Sequence, residues 1–485
     1  MRTSLSSIRR MGGLLLLAFV ALLIHGYHPY AEDAEIYLPG VLKRLNPTLF
    51  PANAVFFGEH ASYSLYSKLI ASLVRLTHLP LPWVTLLCQF ASIFLLLLGT
   101  WRVAAALFEQ DRARWGAVVL MATLLTLPIA GTALYILDQY LNPRNLAAFM
   151  ALFAVSELLH RKYTMALLWL VAASAVHPLM SSFAIAFCVW LAMLDRYRPQ
   201  VLGFAALLPF GLFDPPPPAY HEVALRQSYF FILRWEWYEW LGLIGPVLLF
   251  WWFARLARRR GMEKMELVSR AMVPYILIAS VAAVVLSSSA RFEALARFEP
   301  LRCLALAYML LIVIGGGLLG QYVLQERVWR WLVLFVPLSV GMFLAQRQLF
   351  PASAHVEWPW AQPLNPWAQA FEWIRTNTPS DALFALNPRH MELPGEDENG
   401  FRACAQRSML ADAVKDKGAA SAFPPLSVKW LEQIRDQENW EQFQKDDFER
   451  LRQKYGISWI VVEQPGLAGL ECPYQNSAVR VCRLE

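Results

Sequence analysis

Residues 82–107 read PWVTLLCQFASIFLLLLGTWRVAAAL. Arg102 is the one formally charged residue in the run, and no Asp, Glu, Lys, Arg or His lies between Leu81 and Trp101. A helix crosses the hydrocarbon of a bilayer with roughly 20 apolar residues, so this run predicts a membrane span. The same criterion, carried outward in both directions, gives about eleven spans. They lie near 11–27, 82–107, 115–135, 145–159, 163–176, 179–194, 199–213, 241–256, 268–289, 302–322 and 329–349. The pair around His177-Pro178 reads either as two short spans or as one broken, re-entrant unit. Composition agrees: 57% of the 485 residues are apolar and 16% charged, with mean hydropathy +0.37. A soluble domain carries about 25% charged residues, so a soluble enzyme, a disordered chain and a coiled coil are excluded. The predicted fold is an α-helical polytopic membrane body over 1–350 and a small extracytoplasmic α/β domain over 351–485.

Lys and Arg collect in the cytoplasmic loops of membrane proteins. Arg2, Arg9 and Arg10 open the chain without an acid, which predicts a cytoplasmic N-terminus. Every second connection then carries cations: Arg112 and Arg114, Arg161 and Lys162, Arg196 and Arg198, Arg258-Arg259-Arg260 with Lys264, and Arg327 with Arg330. The alternation leaves everything past residue 350 on the far side, the periplasm if the membrane is a bacterial inner membrane. The net charge of +6 lies mostly in these connections and gives no case for a nucleic-acid partner. A basic start before Met11–Ile24 also fits a signal peptide. The bulky His25-Gly26-Tyr27-His28-Pro29 offers no small-x-small cleavage site, so a retained first helix is expected.

Three segments fall outside the lipid in this reading: 28–80, 214–240 and 351–485. The second opens with Asp214 and four prolines and runs through Trp235, Trp237, Tyr238 and Trp240, aromatics suited to the headgroup level. In the third, Trp367–Asn377 has helical spacing and Ala382–Leu386 reads as a strand. A polar helix over Trp440–Tyr455 stops at Gly456, and Ile457–Val462 is a β-branched strand. Cys472 and Cys482 flank a turn-rich segment, which makes a disulfide across a hairpin the natural pairing in an oxidising compartment. Cys88, Cys188 and Cys303 read as small core residues, and Cys404 has no evident partner. The remaining acids and lysines of this domain read as a solvated surface.

Spans so poor in ionisable groups lack the relay that ion-coupled transporters build. The chemistry is therefore expected in loops. The first loop reads His28-Pro29-Tyr30-Ala31-Glu32-Asp33-Ala34-Glu35-Ile36-Tyr37, with three carboxylates in four residues. These acids can sit in the first turn of a helix running to Leu45, at the positive end of its dipole. One of them, held at the water–lipid boundary, can also serve as general base on an acceptor hydroxyl. Both readings can hold at once.

An acidic pair just after the first span, amphipathic helices following it, a many-helix body and an extracytoplasmic C-terminal domain resemble the multi-spanning glycosyltransferases of the GT-C superfamily. The stretch Trp373-Ile374-Arg375-Thr376-Asn377-Thr378-Pro379-Ser380-Asp381-Ala382-Leu383-Phe384 resembles the opening of the soluble domain in bacterial members and their relatives. So does Phe401-Arg402 followed by Gln406-Arg407-Ser408. The resemblance implies a loop acid as base and a polyprenyl-phosphate-linked sugar as donor. It further implies inverting transfer to an acceptor on the outer face. Asp33 would then be the base, with Glu32 as neighbour or substitute. Glu-Asp stands here where some members have Asp-Asp or Asp-Glu, which leaves open which carboxylate acts. Glu35, one turn on, is the poorer choice.

A lipid-phosphate donor needs cations near the outer headgroups, and arginine binds phosphate bidentately. Arg144, in Asn142-Pro143-Arg144-Asn145, and Arg291, Arg297 and Arg302 fall at outer ends in the predicted topology. They can equally pair with Glu293 and Glu299, or snorkel to lipid headgroups. His177 ends a short span, where a capping role competes with a site role. His28 and His60 share the first loop with the acids, so a divalent cation such as Mg or Mn is a conceivable cofactor, although no spacing matches a dedicated metal box. Two other classes stay open: a flippase or transporter for a lipid-linked glycan, and a non-catalytic envelope assembly protein.

Overall fold

The structure, a computed structural model, describes residues 2–195, 216–288, 292–467 and 469–484. The expected span 199–213, Arg196, Arg198 and the proposed phosphate ligand Arg291 lie outside the described residues. The chain forms two compact units. One comprises Met1–Gly26, Leu87–Asp214 and Ser228–Ala345, the other Tyr27–Leu86, Pro215–Gln227 and Gln346–Glu485.

Among the described residues, six helices are long and apolar enough to cross a membrane. They are Ser7–His25, Leu81–Leu107, Trp237–Arg260, Glu263–Ser287, Ala294–Leu324 and Val328–Leu349. Tyr163–Val176 and Pro178–Leu194 are shorter apolar helices. The count of about eleven is thus not reached by helices of spanning length. Residues 115–135 do not form one span. The helix Asp111–Thr123 ends, and the chain reverses through an antiparallel pair, β1 (Pro128–Ile129) and β2 (Leu134–Tyr135). Pro128 has no N–H to continue a helix. Gly131 turns the chain at φ +65°, and the Trp235 ring lies 2.2 Å from where its Cβ would stand.

Elsewhere in this unit, small residues let helix backbones touch. A Cβ on Gly316 of the helix Leu304–Leu318 would lie 2.6 Å from the Gly116 carbonyl oxygen. One on Gly320 would lie 2.3 Å from that of Arg112. This close approach is how helices pack where no hydrophobic force separates protein from lipid.

The second unit is built on a five-stranded sheet. Its strands are β3 (Leu383–Leu386), β4 (Ser408–Met409), β5 (Trp459–Glu463), β6 (Glu471–Gln475) and β7 (Val479–Arg483). Their order is β4-β3-β5-β7-β6, with β3 parallel to β4 and β5, and β7 antiparallel to β5 and β6. Side chains alternate between faces along a strand. Phe384, Leu386, Trp459 and Val461 meet Trp367, Phe371 and Ile374 of the helix Pro366–Asn377. Leu383, Ala385, Ile460 and Val462 meet Phe448 and Leu451 of the helix Lys445–Tyr455. Covered on both faces, β3 and β5 read as unbroken apolar runs. The expected helix over 440–455 is a short turn, Trp440–Gln442, followed by the helix Lys445–Tyr455, which ends at left-handed Gly456. A disulfide joins Cys472 on β6 to Cys482 on β7.

The boundary placed at residue 350 from sequence groups 28–80 and 214–240 with the membrane body. Compactness instead groups 27–86 and 215–227 with the C-terminal region. The reason is backbone pairing. Tyr27 bridges to Val356 and Ala31 to Asn399, and the Glu32 N–H donates to the Glu398 carbonyl at 2.9 Å. The loop then continues as helices Ala34–Leu45, Val55–Tyr63 and Tyr66–Thr77.

Candidate functional site

Asp33 is the N-cap of the helix Ala34–Leu45, and Glu32 precedes it in the left-handed region at φ +57°. Both carboxylates are partly exposed, and both face one cation. The Lys415 ammonium touches Glu32 and lies 3.4 Å from an Asp33 oxygen. Glu398 shares a hydrogen bond with Glu32. Burial works against charge on Glu32, but the Lys415 ammonium and the Glu398 bond outweigh it and hold its carboxyl below the usual range. Glu398 moves the other way: burial, then the bond and charge of Glu32, push it up to about 9. Near neutral pH, Glu398 therefore keeps its proton and Glu32 does not. Lys415 stays charged because the acids around it outweigh its burial.

Glu35 belongs to a different structure. It is fully buried, and its Oε1 accepts the Arg402 backbone N–H at 3.0 Å and a guanidinium N–H at 3.1 Å. Its Oε2 accepts the Ala403 N–H at 3.0 Å. Asp416 takes Arg402 in two parallel bonds of 3.0 and 2.6 Å, and an Asp412 oxygen lies 3.7 Å away. Three carboxyls thus surround one guanidinium, all buried. Burial, reinforced by Asp412, pushes Glu35 up to about 8 and Asp416 up to about 7 against the pull of Arg402, so the cluster holds a proton at neutral pH. The expected solvated surface is corrected here, since Glu396, Arg402, Asp412 and Asp416 lie inside. Glu35, which accepts from Arg402, sits 367 positions away from it, a separation no local charge pattern reveals.

His28 is buried, stacked 3.9 Å from the Phe350 ring, with Nδ1 2.9 Å from Glu357. His60 stands edge-on to Tyr37 and Phe423. His177 accepts the Met180 N–H and caps the helix Pro178–Leu194, the capping alternative read from sequence. Among the described residues no three His, Cys, Asp or Glu side chains come together to hold a metal ion. The donor set does not fit Mg or Mn either, because Lys415 occupies the position a cation would take between Glu32 and Asp33.

In the first unit, Arg144 and Arg302 line a single cleft with Asp138 and Asn145, walled by Phe183 and Leu306. Arg144 donates to Asp138 Oδ2 at 3.1 and 3.3 Å and to the Tyr140 hydroxyl at 3.3 Å. Asn145 ties the turn together, donating to Gln89 Oε1 at 3.0 Å and to the Tyr140 carbonyl at 2.9 Å. Arg302 pairs with Glu299, and the Arg297 guanidinium lies 5.9 Å from the Phe298 ring centroid. Asp138 here, like Lys415 and Glu398 beside the acid pair, is a residue that sequence reasoning missed. It lies one position past the end of an uncharged run, where it looked like loop.

A family model described as a domain of unknown function, DUF6798, matches residues 365–424. The match covers the helix Pro366–Asn377, β3, β4 and the whole Arg402–Asp412–Lys415–Asp416 set. No curated protein is significantly similar to the chain.

Proposed function

We propose that the protein is a multi-pass bacterial inner-membrane glycosyltransferase of GT-C type. It moves a sugar from a polyprenyl-phosphate donor to an acceptor at the periplasmic face. The observation that carries this reading is the cleft where Arg144 and Arg302, far apart in sequence, meet among apolar walls. A phosphate on a lipid needs that combination of guanidinium groups and apolar lining. Asp33 is the better base. The Lys415 ammonium lies 3.4 Å from Asp33, whereas it touches Glu32, holds that carboxyl ionised and makes it correspondingly weaker as a proton acceptor.

The Lys415 contact also favours a second reading, in which the acids only secure the loop and the protein assists envelope assembly without catalysis. Sugar transfer from a radiolabelled polyprenyl-phosphate donor, measured in membranes carrying Asp33→Asn, Glu32→Gln and Arg144→Gln, separates the two. Transfer that drops about 10²-fold or more in Asp33→Asn, the size expected for loss of a general base, supports catalysis. Transfer unchanged in all three variants refutes it. A lipid-glycan flippase would instead keep moving donor between leaflets in Asp33→Asn.

A further inference from the structure

A second cleft in the first unit, of about 340 Å³, has no place in the reading above. It is lined by Arg10, Arg102, Lys162 and His160, with Leu98 and Trp101 as its apolar wall. Arg10 comes from the helix Arg2–His25, Arg102 from Leu81–Leu107, and His160 and Lys162 from the turn before Tyr163–Val176. The Arg10 guanidinium stands 5.6 Å from the Trp101 ring centroid. Arg102 is already engaged by Glu157 and stacks 5.0 Å over Phe153. Arg10 and Lys162, in contrast, have no carboxylate within ion-pair distance among the described residues. The cleft is therefore net positive and open, with an aromatic floor. It sits at one end of two helices long enough to span a bilayer.

Two uncompensated cations, Arg10 and Lys162, brought together from separate chain segments repel one another unless an anion joins them. Basic pockets between membrane helices answer that need with lipid phosphate, and an apolar wall alongside suits acyl chains. We propose that this cleft binds a phosphate group, with Arg10 and Lys162 as the two principal ligands and Trp101 as the floor. The site is distinct from the Arg144–Arg302 cleft and stands whether or not the protein transfers sugar.

The test uses the full chain in detergent, titrated with phosphatidylglycerol and separately with phosphatidylcholine, with retained lipid read by native mass spectrometry. Phosphatidylglycerol should be held in preference to phosphatidylcholine. Each cation removed, in Lys162→Gln and in Arg10→Gln/Lys162→Gln, should weaken it about fivefold. Lys162 is exposed, so its replacement does not threaten folding. A parallel titration with inorganic phosphate, read as a rise in Tm, assigns the source. A rise that the double variant abolishes names free phosphate as ligand, whereas no rise beside selective lipid retention names the headgroup. Equal retention of both lipids together with no Tm rise from inorganic phosphate, or binding of phosphatidylglycerol and phosphate that the double variant leaves undiminished, overturns the proposal.

Discussion

Replacing Arg402 with Met tests whether the buried cluster holds the second unit together. The side chain lies 1% exposed and makes three hydrogen bonds of 2.6–3.1 Å to Glu35 and Asp416. Methionine matches its length but leaves Glu35, Asp412 and Asp416 facing one another without a cation. Removing one partner of a buried ion pair costs about 3–5 kcal/mol. At about 1.4 kcal/mol per factor of ten, that is a fall of roughly 10²–10³·⁵ in the protection of core amides. Hydrogen exchange of β3 and β5 in the full chain reads this directly, since those strands open only when the unit does. The damage should also depend on pH. Without Arg402, the carboxyls lose the group that pulls their pKa values down, so the variant recovers as the pH falls and they take up protons. Arg402→Lys should fall between, because a single ammonium cannot make two parallel bonds to Asp416. A loss of protection under tenfold, or one that is equal at pH 6 and pH 8, would refute the account.

Three further outcomes follow from neighbouring geometry. In the unaltered protein, Glu35 and Asp416 have folded pKa values of about 8 and about 7, above their unfolded values, so the stability they contribute is full at acid pH and lost as pH rises through 7 and 8. A scan of Tm from pH 6 to 9 should fall, and Glu35→Gln should flatten that fall. Gly400→Ala places a Cβ 2.5 Å from Glu35 Oε2 and 2.8 Å from its Cβ. Overpacking of that kind costs about 1–3 kcal/mol, visible as a lowered Tm and faster amide exchange at Ala31–Glu35. Cys472→Ser/Cys482→Ser opens a bridge with a sequence separation of 10 and should lower the unfolding free energy by about 3 kcal/mol, read as a lower denaturant midpoint, against no change if the bond does not form in cells.

What the sequence made readable was whatever local pattern encodes. Leu81–Leu107 declares itself by length and lack of charge, and β3 and β5 by apolar runs. His177 could be read as a cap because Pro178 follows it. The end of the helix at Thr123 was harder, because Leu124–Leu127 continues the apolar run and Gly131 needs Trp235, more than a hundred residues on, to explain it. The buried ionic cluster was hidden for the same reason. Asp412, Lys415, Asp416 and Lys417 look solvated by composition, and only the chain's return against the first loop puts Glu35 beside Arg402.

That return changes how the acid pair must be tested. Glu32 and Asp33 depend on Lys415 for charge balance, and Glu32 also depends on Glu398 for its proton partner. The loop that carries the proposed base is therefore ordered by the same region that the DUF6798 model matches. A loss of transfer in Asp33→Asn has two possible origins, a missing base or a loosened loop. Lys415→Met separates them. It leaves both carboxylates in place but removes the cation that lowers Glu32, making each a stronger proton acceptor while weakening the loop's attachment. If Asp33 is the base and the loop keeps its place, transfer in Lys415→Met persists and its acid limb moves to higher pH, because the freed carboxylate protonates more readily. If the acids serve only as ties, Lys415→Met and Asp33→Asn raise exchange at Ala31–Glu35 alike, and neither shifts any pH profile.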